Sequence, residues 1–301
     1  MPETLHRVVV TGATGFVGRA LCARLAAAID TLRFGVSDWQ ERLAATPLEG
    51  ATIFHLAARV HAPGTAAATF QSDNEDKARA LALAAARQGA RRLVHLSSIK
   101  VYGDESPGRP FGVEDDPAPH DAYGKSKWAA EQALTQVALF TGLPVVTVRS
   151  PLVYGAGARA NLAALLRLVD TPWPLPFASL TAPRSFVQVD DLARLLVACA
   201  EHPHAAGRVY IAAHAQPVST ATLVTLLRRA LGRPARLYPF PRAVLEACAA
   251  ALGQGEKARR LTRALEGDPS AAARELGWAA GVPIELAIEE MVRGYRARDR
   301  H

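Results

Sequence analysis

The stretch Val8-Val9-Val10-Thr11-Gly12-Ala13-Thr14-Gly15-Phe16-Val17-Gly18 decides the fold class. Its start, Arg7 to Thr11, is typical of a buried strand, and the pattern from Phe16 to Ala28 is typical of a helix. The first glycine allows the tight turn, the second lets a pyrophosphate approach, and the third lets the helix pack closely on the strand. Free N–H groups and the positive end of the helix dipole then meet the phosphates. The motif predicts a dinucleotide site that includes Gly12, Gly15, Phe16, Val17 and Gly18.

Short apolar runs alternate with helical patterns through the first half of the chain. Strands are predicted at 7–11, 32–36, 53–56, 93–96 and 145–148, and helices at 69–88 and 126–140. This alternation predicts an α/β fold, a Rossmann-type doubly wound parallel sheet with helices on both faces. We expect an NAD(P)-binding domain over residues 1–150, to which parts of 185–212 return. We expect a smaller, mostly helical substrate-binding lobe over residues 151–301.

The composition of the 301 residues is that of a globular protein, with 50% hydrophobic and 21% charged residues. We find no apolar stretch that predicts a membrane span and no signal-peptide core. Cys22, Cys199 and Cys248 are widely spaced, which argues against a zinc site and suits a reducing cytoplasm. The net charge of +7 is scattered along helical stretches. We therefore expect a cytoplasmic protein without a metal, a nucleic-acid partner or a membrane.

The adenosine end of the predicted site is open to two interpretations. Asp38 could hydrogen-bond the ribose of NAD, or it could cap the helical turn that begins at Trp39. Ser37 beside it could tolerate a 2′-phosphate. We expect NAD as the cofactor and leave NADP open.

Tyr123 and Lys127 form a Tyr-x-x-x-Lys pattern at a predicted helix start, which places both on one helical face. An ammonium near a phenol favours the phenolate, so we expect a lowered tyrosine pKa. Such a tyrosine can move a proton on or off an alcohol while a nicotinamide moves a hydride. Ser98 directly follows the fourth strand and can hydrogen-bond the same oxygen. The structural alternative is an ordinary amphipathic helix and a turn cap.

The chain resembles an extended short-chain dehydrogenase/reductase of the nucleotide-sugar epimerase/dehydratase family. The resemblance is carried by the three glycines, His55-Leu56-Ala57-Ala58, Asn74, Ser97-Ser98 before Val101-Tyr102-Gly103, Tyr123/Lys127, Arg149 before Tyr154-Gly155, and Arg184-Ser185-Phe186-Val187 before Asp190-Asp191. It implies that Tyr123 is the general acid/base, Lys127 its activator and Ser98 its partner. It implies cofactor contacts at Ala57 and Asn74. It also places Arg184 on a substrate diphosphate and Asn161, with Ser98, on the substrate side.

Three departures from the family narrow this expectation. Ile99 and Lys100 stand where family dehydratases carry an acid pair, which argues against water elimination. Leu152 replaces an asparagine that often contacts the nucleotide sugar in epimerases. The segment between Val36 and Ile53 is short, so one sheet strand of the family is expected to be missing or rearranged.

The resemblance implies an NAD(P)-dependent enzyme that acts at C4 of a UDP-hexose or UDP-N-acetylhexosamine. We favour a 4-epimerase of surface-polysaccharide or O-antigen sugar biosynthesis. The alternatives are a 4-keto-6-deoxy-sugar reductase and a non-catalytic dinucleotide-sensing module. Family analogy also implies a homodimer formed by the helices over 69–88 and 126–140.

Overall fold

A computed structural model describes residues 5, 7–25, 28–32, 38–60, 65–158 and 161–298. The strands are β1 (Arg7–Thr11), β2 (Ala28–Leu32), β3 (Thr52–His55), β4 (Arg92–Ser98), β5 (Val145–Ser150), β6 (Leu152–Tyr154), β7 (Pro183–Arg184), β8 (Phe186–Gln188), β9 (Val209–Ile211) and β10 (Val218–Ser219). Six of them form a parallel sheet in the order β2-β1-β3-β4-β5-β9. The remaining strands form two small sheets, β6 with β8 and β7 with β10. The parallel sheet confirms the predicted α/β class.

Helices cover both faces of this sheet and form most of the later part of the chain. They are α1 (Phe16–Arg24), α2 (Trp39–Ala45), α3 (Ala67–Gln71), α4 (Lys77–Arg87), α5 (Ala122–Thr141), α6 (Asn161–Val169), α7 (Val189–Glu201), α8 (Thr220–Ala230), α9 (Arg242–Ala251), α10 (Gly255–Thr262), α11 (Ser270–Leu276) and α12 (Ile284–Arg298). A π-helical segment, Ser72–Asp76, joins α3 to α4, and a 3-10 turn, Ile99–Val101, follows β4.

Alternate residues of the sheet face two separate apolar cores. Val8, Val10 and Val94 pack with α1 and α7 on one face. Val9 and Leu93 pack with α4 and α5 on the other face. This two-sided burial explains the continuous apolar strands in the sequence. A third core, between α6, α8 and α12, supports the later helical part.

The first crossover is shorter than the sequence pattern predicts. We expected a helix to Ala28, but α1 ends at Arg24, and β2 already begins at Ala28 because it pairs in register with β1. Nine helical residues rise about 13 Å, which is close to the length of a five-residue strand. The shorter α1 is therefore long enough to lead the chain back from the end of β1 to the start of β2. Of the predicted strand 32–36, Leu32 is the last residue of β2, and 33–36 lie outside the described residues.

The described sheet ends at β2 on the side of the glycine loop. A doubly wound sheet commonly carries one further strand there, beyond the second strand. The chain instead enters α2 and returns to β3 on the other side of β1. Within the described residues, the sheet therefore has no strand beyond β2, which is the strand that we expected to be missing or rearranged.

Residues 183–211 approach the sheet again after the helix α6. β9 pairs with β5 as the sixth strand of the sheet, and α7 packs against α1. The division into an NAD(P)-binding domain and a substrate lobe near residue 150 stays a prediction. The expected return of parts of 185–212 to the first domain belongs to the same prediction.

Candidate active site

The glycine loop has the geometry that its spacing predicts. Gly12 has φ +74, and its carbonyl oxygen accepts a hydrogen bond from the Gly15 N–H at 2.9 Å. A Cβ atom at Gly18 would lie 2.1 Å from this carbonyl oxygen, and one at Gly12 would lie 2.8 Å from the Ala57 nitrogen. Only glycine fits at either position.

The first turn of α1 begins at Phe16 and continues through Val17, directly after the loop. Gly15 occupies the cap position without a side chain, and the first N–H groups of a helix have no acceptors within the helix. These donors and the helix dipole suit a pyrophosphate. The cradle therefore fits the phosphate part of a dinucleotide.

The chain after β3 passes directly over this loop. The Ala57 N–H donates to Thr11 Oγ1 at 3.1 Å, and the same oxygen lies 2.8 Å from Nδ1 of the buried His55. Asn74 is buried in the π-helical segment, where its Oδ1 accepts from the Arg59 N–H at 2.7 Å. Its Nδ2 donates to the Arg59 carbonyl at 3.1 Å and to Ser126 Oγ at 2.9 Å. Asn74 thus joins the loop after β3 to α5, and a direct cofactor contact through its side chain stays a prediction.

Ser98 and Tyr123, which we call the proton-transfer pair after their predicted role, come from the end of β4 and the start of α5. Asp121 caps α5, since its Oδ1 accepts from the Gly124 N–H at 2.6 Å, and this fixes Tyr123 in the first turn. Ser98 lies close enough to Tyr123 for its side chain to act on the tyrosine, where it favours a lower pKa. Lys127 follows on the same face, is 2% exposed, and donates from Nζ to the Leu96 carbonyl at 2.6 Å. The structure thus brings the three predicted catalytic residues to one place.

Burial controls the ionisation of this cluster. It raises the pKa of Tyr123 to about 12, although the side chain of Ser98 opposes this shift. It lowers the pKa of Lys127 to about 8, although Glu131 opposes that shift. The expectation of a lowered tyrosine pKa is therefore wrong for this structure, because desolvation outweighs any effect of the nearby ammonium. The phenol is protonated at neutral pH.

Two stacked histidines lie in the sheet close to Lys127. The ring centroids of His55 and His95 are 5.2 Å apart, and both residues are buried. Burial and the charge of Lys127 lower the pKa of His55 to about 3 and that of His95 well below its usual value. Both rings are neutral at physiological pH, so Lys127 is the cation of this region.

The side predicted to bind the substrate carries two arginines, Arg184 and Arg260, which we call the arginine pair. Arg184 lies on β7, and its Nη1 donates to the Arg263 carbonyl at 2.6 Å. Burial and the nearby Arg260 lower the pKa of Arg184 to about 10. Arg260 lies on α10, with Nη2 3.9 Å from Oδ2 of Asp121. Two neighbouring guanidinium groups offer the fixed charge and paired donors that suit a diphosphate.

Two other predicted residues are described only in part or lie apart from this cluster. Asn161 begins α6, and its side chain lies outside the described residues. Asp38 occupies the cap position of α2 but makes no side-chain cap hydrogen bond. Its carboxylate instead pairs with Arg42 at 2.9 Å, so it does not cap α2 through a hydrogen bond. Ser37 lies outside the described residues, so both the ribose and the 2′-phosphate interpretations stay predictions.

The family model described as "NAD dependent epimerase/dehydratase family" matches residues 8–213, more than half of the chain. The chain belongs to this family. The match confirms the resemblance found in the sequence and, through the family's own cofactor, the expectation of NAD. It spans the glycine loop, the proton-transfer pair, Lys127 and Arg184, and it ends before Arg260.

The relatives of this epimerase/dehydratase chain include an epimerase and a reductase. A UDP-glucose 4-epimerase of Vibrio cholerae is 36% identical over 98% of this chain and 96% of its own length. A UDP-2-acetamido-2,6-beta-L-arabino-hexul-4-ose reductase of Pseudomonas aeruginosa is 31% identical over 62% of this chain and 48% of its own length. The structure of RMD from Pseudomonas aeruginosa complexed with NADPH matches with a TM-score of 0.79 at 23% identity, covering 97% of this chain and all of that one. Because its identity is below 25%, the match to the RMD structure is evidence for the fold alone.

Sequence reasoning did not place Arg260 or Asp121 in the site. Arg260 lies beyond the residues 8–213 that the family model matches, and the fold brings its charge close enough to lower the pKa of Arg184. Asp121 stands two residues before the tyrosine and could have been noticed as a helix cap. No helix in the described part of the chain is long and apolar enough to cross a bilayer, and no group of potential ligands there could hold a metal ion.

Proposed function

We propose that this protein is an NAD-dependent 4-epimerase of a UDP-hexose or UDP-N-acetylhexosamine. The observation that carries the proposal is the joint presence of the proton-transfer pair, Lys127 and the arginine pair in a chain that aligns along its whole length with a UDP-glucose 4-epimerase. Formation of surface-polysaccharide sugars is the process that we propose for it.

A C4 epimerase must remove the hydroxyl proton and the C4 hydrogen, and then return both with the hydrogen on the opposite face. In our proposal Tyr123 moves the hydroxyl proton, and Ser98 holds the same oxygen by a hydrogen bond. Lys127 supplies a positive charge that favours the phenolate, which is the form of Tyr123 that accepts the hydroxyl proton. The raised pKa of Tyr123 keeps the proton taken from the C4 hydroxyl on the phenol until the reverse step, when the phenol returns it to the C4 oxygen.

The glycine loop would hold the pyrophosphate of the cofactor through the free N–H groups of α1. When bound, NAD supplies the hydride acceptor and donor and, in its oxidised form, a positive charge that favours the phenolate. Lys127 and the loop at Ala57 would line the rest of its path. Arg42 beside Asp38 is a cation that could accept a 2′-phosphate, so NADP stays an alternative.

A 4-keto-6-deoxy-sugar reductase is the second candidate, which the named reductase from Pseudomonas aeruginosa favours. The two functions differ in how they use the cofactor: an epimerase recycles it in place, whereas a reductase exchanges it each turnover. We would identify by mass the nucleotide that the purified protein releases, and then test UDP-glucose, UDP-galactose and their N-acetylated forms by anion-exchange chromatography. Bound NAD and interconversion of a C4 pair would support the epimerase. An empty protein that oxidises NADPH with a 4-keto sugar would support the reductase.

We also propose that the protein forms a homodimer through α4 and α5. Leu83 on α4 is 38% exposed, and Leu139 and Phe140 at the end of α5 are 80% and 89% exposed. Large apolar side chains at this level of exposure suit a protein interface. Light scattering should give twice the 32.0 kDa mass of the chain, and Phe140→Ser should lower it toward the monomer.

A further inference from the structure

Asp121 stands where three parts of the active site meet. It caps α5 next to Tyr123, with Oδ1 accepting from the Gly124 N–H at 2.6 Å. Its Oδ2 forms an ion pair with Lys100 Nζ at 2.9 Å. The same oxygen faces Nη2 of Arg260 at 3.9 Å. One carboxylate therefore contacts the proton-transfer side and the substrate side together.

Lys100 connects this carboxylate to the turn that carries Ser98. It lies in the 3-10 turn directly after β4, and its backbone N–H donates to Ser98 Oγ at 3.3 Å. Its side chain is 17% exposed and pairs with Asp104 as well as with Asp121. An ion pair with so little exposure is only weakly screened by solvent. It therefore holds the Ser98 turn against the start of α5.

Arg260 connects the same carboxylate to the substrate lobe. Arg260 lies on α10, which packs on α9. Because α9 has no buried residue, these two helices have little apolar core between them. Among the described residues, Arg260 faces Asp121, Arg263 just after α10 pairs with Glu105 at 2.7 Å, and the Ser106 N–H donates to the Ala264 carbonyl at 3.0 Å. Of these contacts, the one at Asp121 lies at the start of α5, which carries Tyr123.

We propose that Asp121 is a positioning residue, which aligns the proton-transfer pair with the arginine pair and tunes proton transfer through its charge. This proposal rests on the proposed function. The negative charge of Asp121 contributes to the raised pKa of Tyr123, together with burial. The charged or titratable groups around Asp121 and Tyr123 are Lys100 from the turn, Asp104 beyond it, Arg260 from α10, and Lys127 with Glu131, His55 and His95 on the inner side; the neutral hydroxyl of Ser98 also acts on Tyr123.

The test replaces the charge and keeps the cap. Asn and Ser cap helices as well as Asp does, so Asp121→Asn and Asp121→Ser should fold normally. Without the carboxylate, the charge that raises the phenol pKa is lost and Lys100 and Arg260 lose a counter-charge. Both effects favour the phenolate. The rising limb of kcat/KM against pH should therefore move to lower pH in both variants, and kcat should fall roughly tenfold because the reacting groups are less well aligned.

Glu105→Gln is the matched control. It also removes a carboxylate that ties the α10 region to the catalytic turn, but Glu105 is not among the charges that act on Tyr123. Its pH profile should match that of the wild type. Asp121→Glu keeps the charge but displaces the cap, so it should lower the melting temperature and leave the pH limb close to that of the wild type.

Hydrogen exchange provides a readout that needs no substrate. Amides of residues 98–103 should exchange several-fold faster in Asp121→Asn and at the wild-type rate in Glu105→Gln. Unchanged exchange or an unchanged pH limb in Asp121→Asn would overturn the proposal. A wild-type protein that turns over no UDP-sugar would contradict the proposed function instead, while the exchange measurement would still decide the positioning role.

Discussion

The two ends of the active site are built in different ways. The proton-transfer end comes from the seven-residue strand β4 and the 20-residue helix α5, and Lys127 there is anchored to the backbone of β4. The diphosphate end comes from the two-residue strand β7 and the eight-residue helix α10. Elements that are long and packed on both sides hold side chains more accurately than short ones at the edge. We therefore propose that the chemistry takes place at the rigid end and that the lightly packed end recognises the substrate.

Tyr123→Phe should have the largest effect on the rigid end. Removal of the hydroxyl that we propose transfers the proton should lower kcat by about 10³-fold, within the range for a lost general acid/base. NAD affinity should stay close to that of the wild type, since the glycine loop is untouched. Tyr238→Phe, at a side chain that is 43% exposed, is the control and should keep full activity. Retained turnover in Tyr123→Phe would show that the chemistry does not depend on this end.

Gly18→Ala should break the cofactor cradle that supports the rigid end. The added methyl group would lie 2.1 Å from the Gly12 carbonyl oxygen, so backbone must shift, at a cost of about 3 kcal/mol in unfolding free energy. Calorimetric titration with NAD should show weak or no binding. At Gly112 a methyl group meets its nearest atom at 3.8 Å, so Gly112→Ala should change neither quantity.

Arg260→Ala should show the opposite pattern from Tyr123→Phe. Loss of a charged hydrogen-bond donor to a diphosphate should raise KM for the UDP-sugar about tenfold to a hundredfold, and kcat should fall less than KM rises. The exposed Arg274 gives a control with the same change of charge. A large fall in kcat at constant KM would remove the distinction between the two ends.

The buried histidines should produce a smaller effect on stability that depends on pH. Both are neutral in the folded protein, and the pKa of His55 is about 3, whereas an unfolded histidine has a pKa near 6.5. The unfolded state therefore binds more protons below about pH 6.5, and stability is lost as the pH falls through that value toward 3. His55 accounts for about 2 kcal/mol of lost stability at pH 5, and His95 acts in the same direction.

His95→Leu should flatten this acid limb. Within the described residues, neither ring nitrogen of His95 has a hydrogen-bond partner, so leucine sacrifices no hydrogen bond there. Urea unfolding at pH 7 and pH 5 should show a smaller difference for the variant than for the wild type. An equal difference in both would show that His95 is not the group that titrates on unfolding.

The sequence predicts the rigid end well because its signals are local. The glycine spacing and the i,i+4 tyrosine and lysine lie within one turn or one helix, so their geometry follows from short-range rules. The end of α1 at Arg24 is not predicted, because the register of β2 against β1 decides it. The contacts of Arg260 with the rest of the site are likewise set by packing between residues distant in sequence.

The direction of the Tyr123 pKa shows a further limit of local reasoning. Spacing places a lysine near the phenol and indicates a lowered pKa, but it gives no measure of burial. In the fold, desolvation is the largest influence and raises the pKa to about 12. Charges can be read from a sequence, whereas burial is a property of the whole fold.

Transfer of the C4 hydrogen tests the central claim most directly. The purified protein would be incubated with UDP-glucose that carries deuterium at C4, without added nucleotide, and the products would be separated and weighed by mass spectrometry; UDP-N-acetylglucosamine labelled in the same way covers the second substrate class. Our account predicts the C4 epimer of at least one of them, with the deuterium retained at C4, because the hydrogen leaves and returns within one active site. No epimer from either substrate, or an epimer that has lost the deuterium, would contradict it.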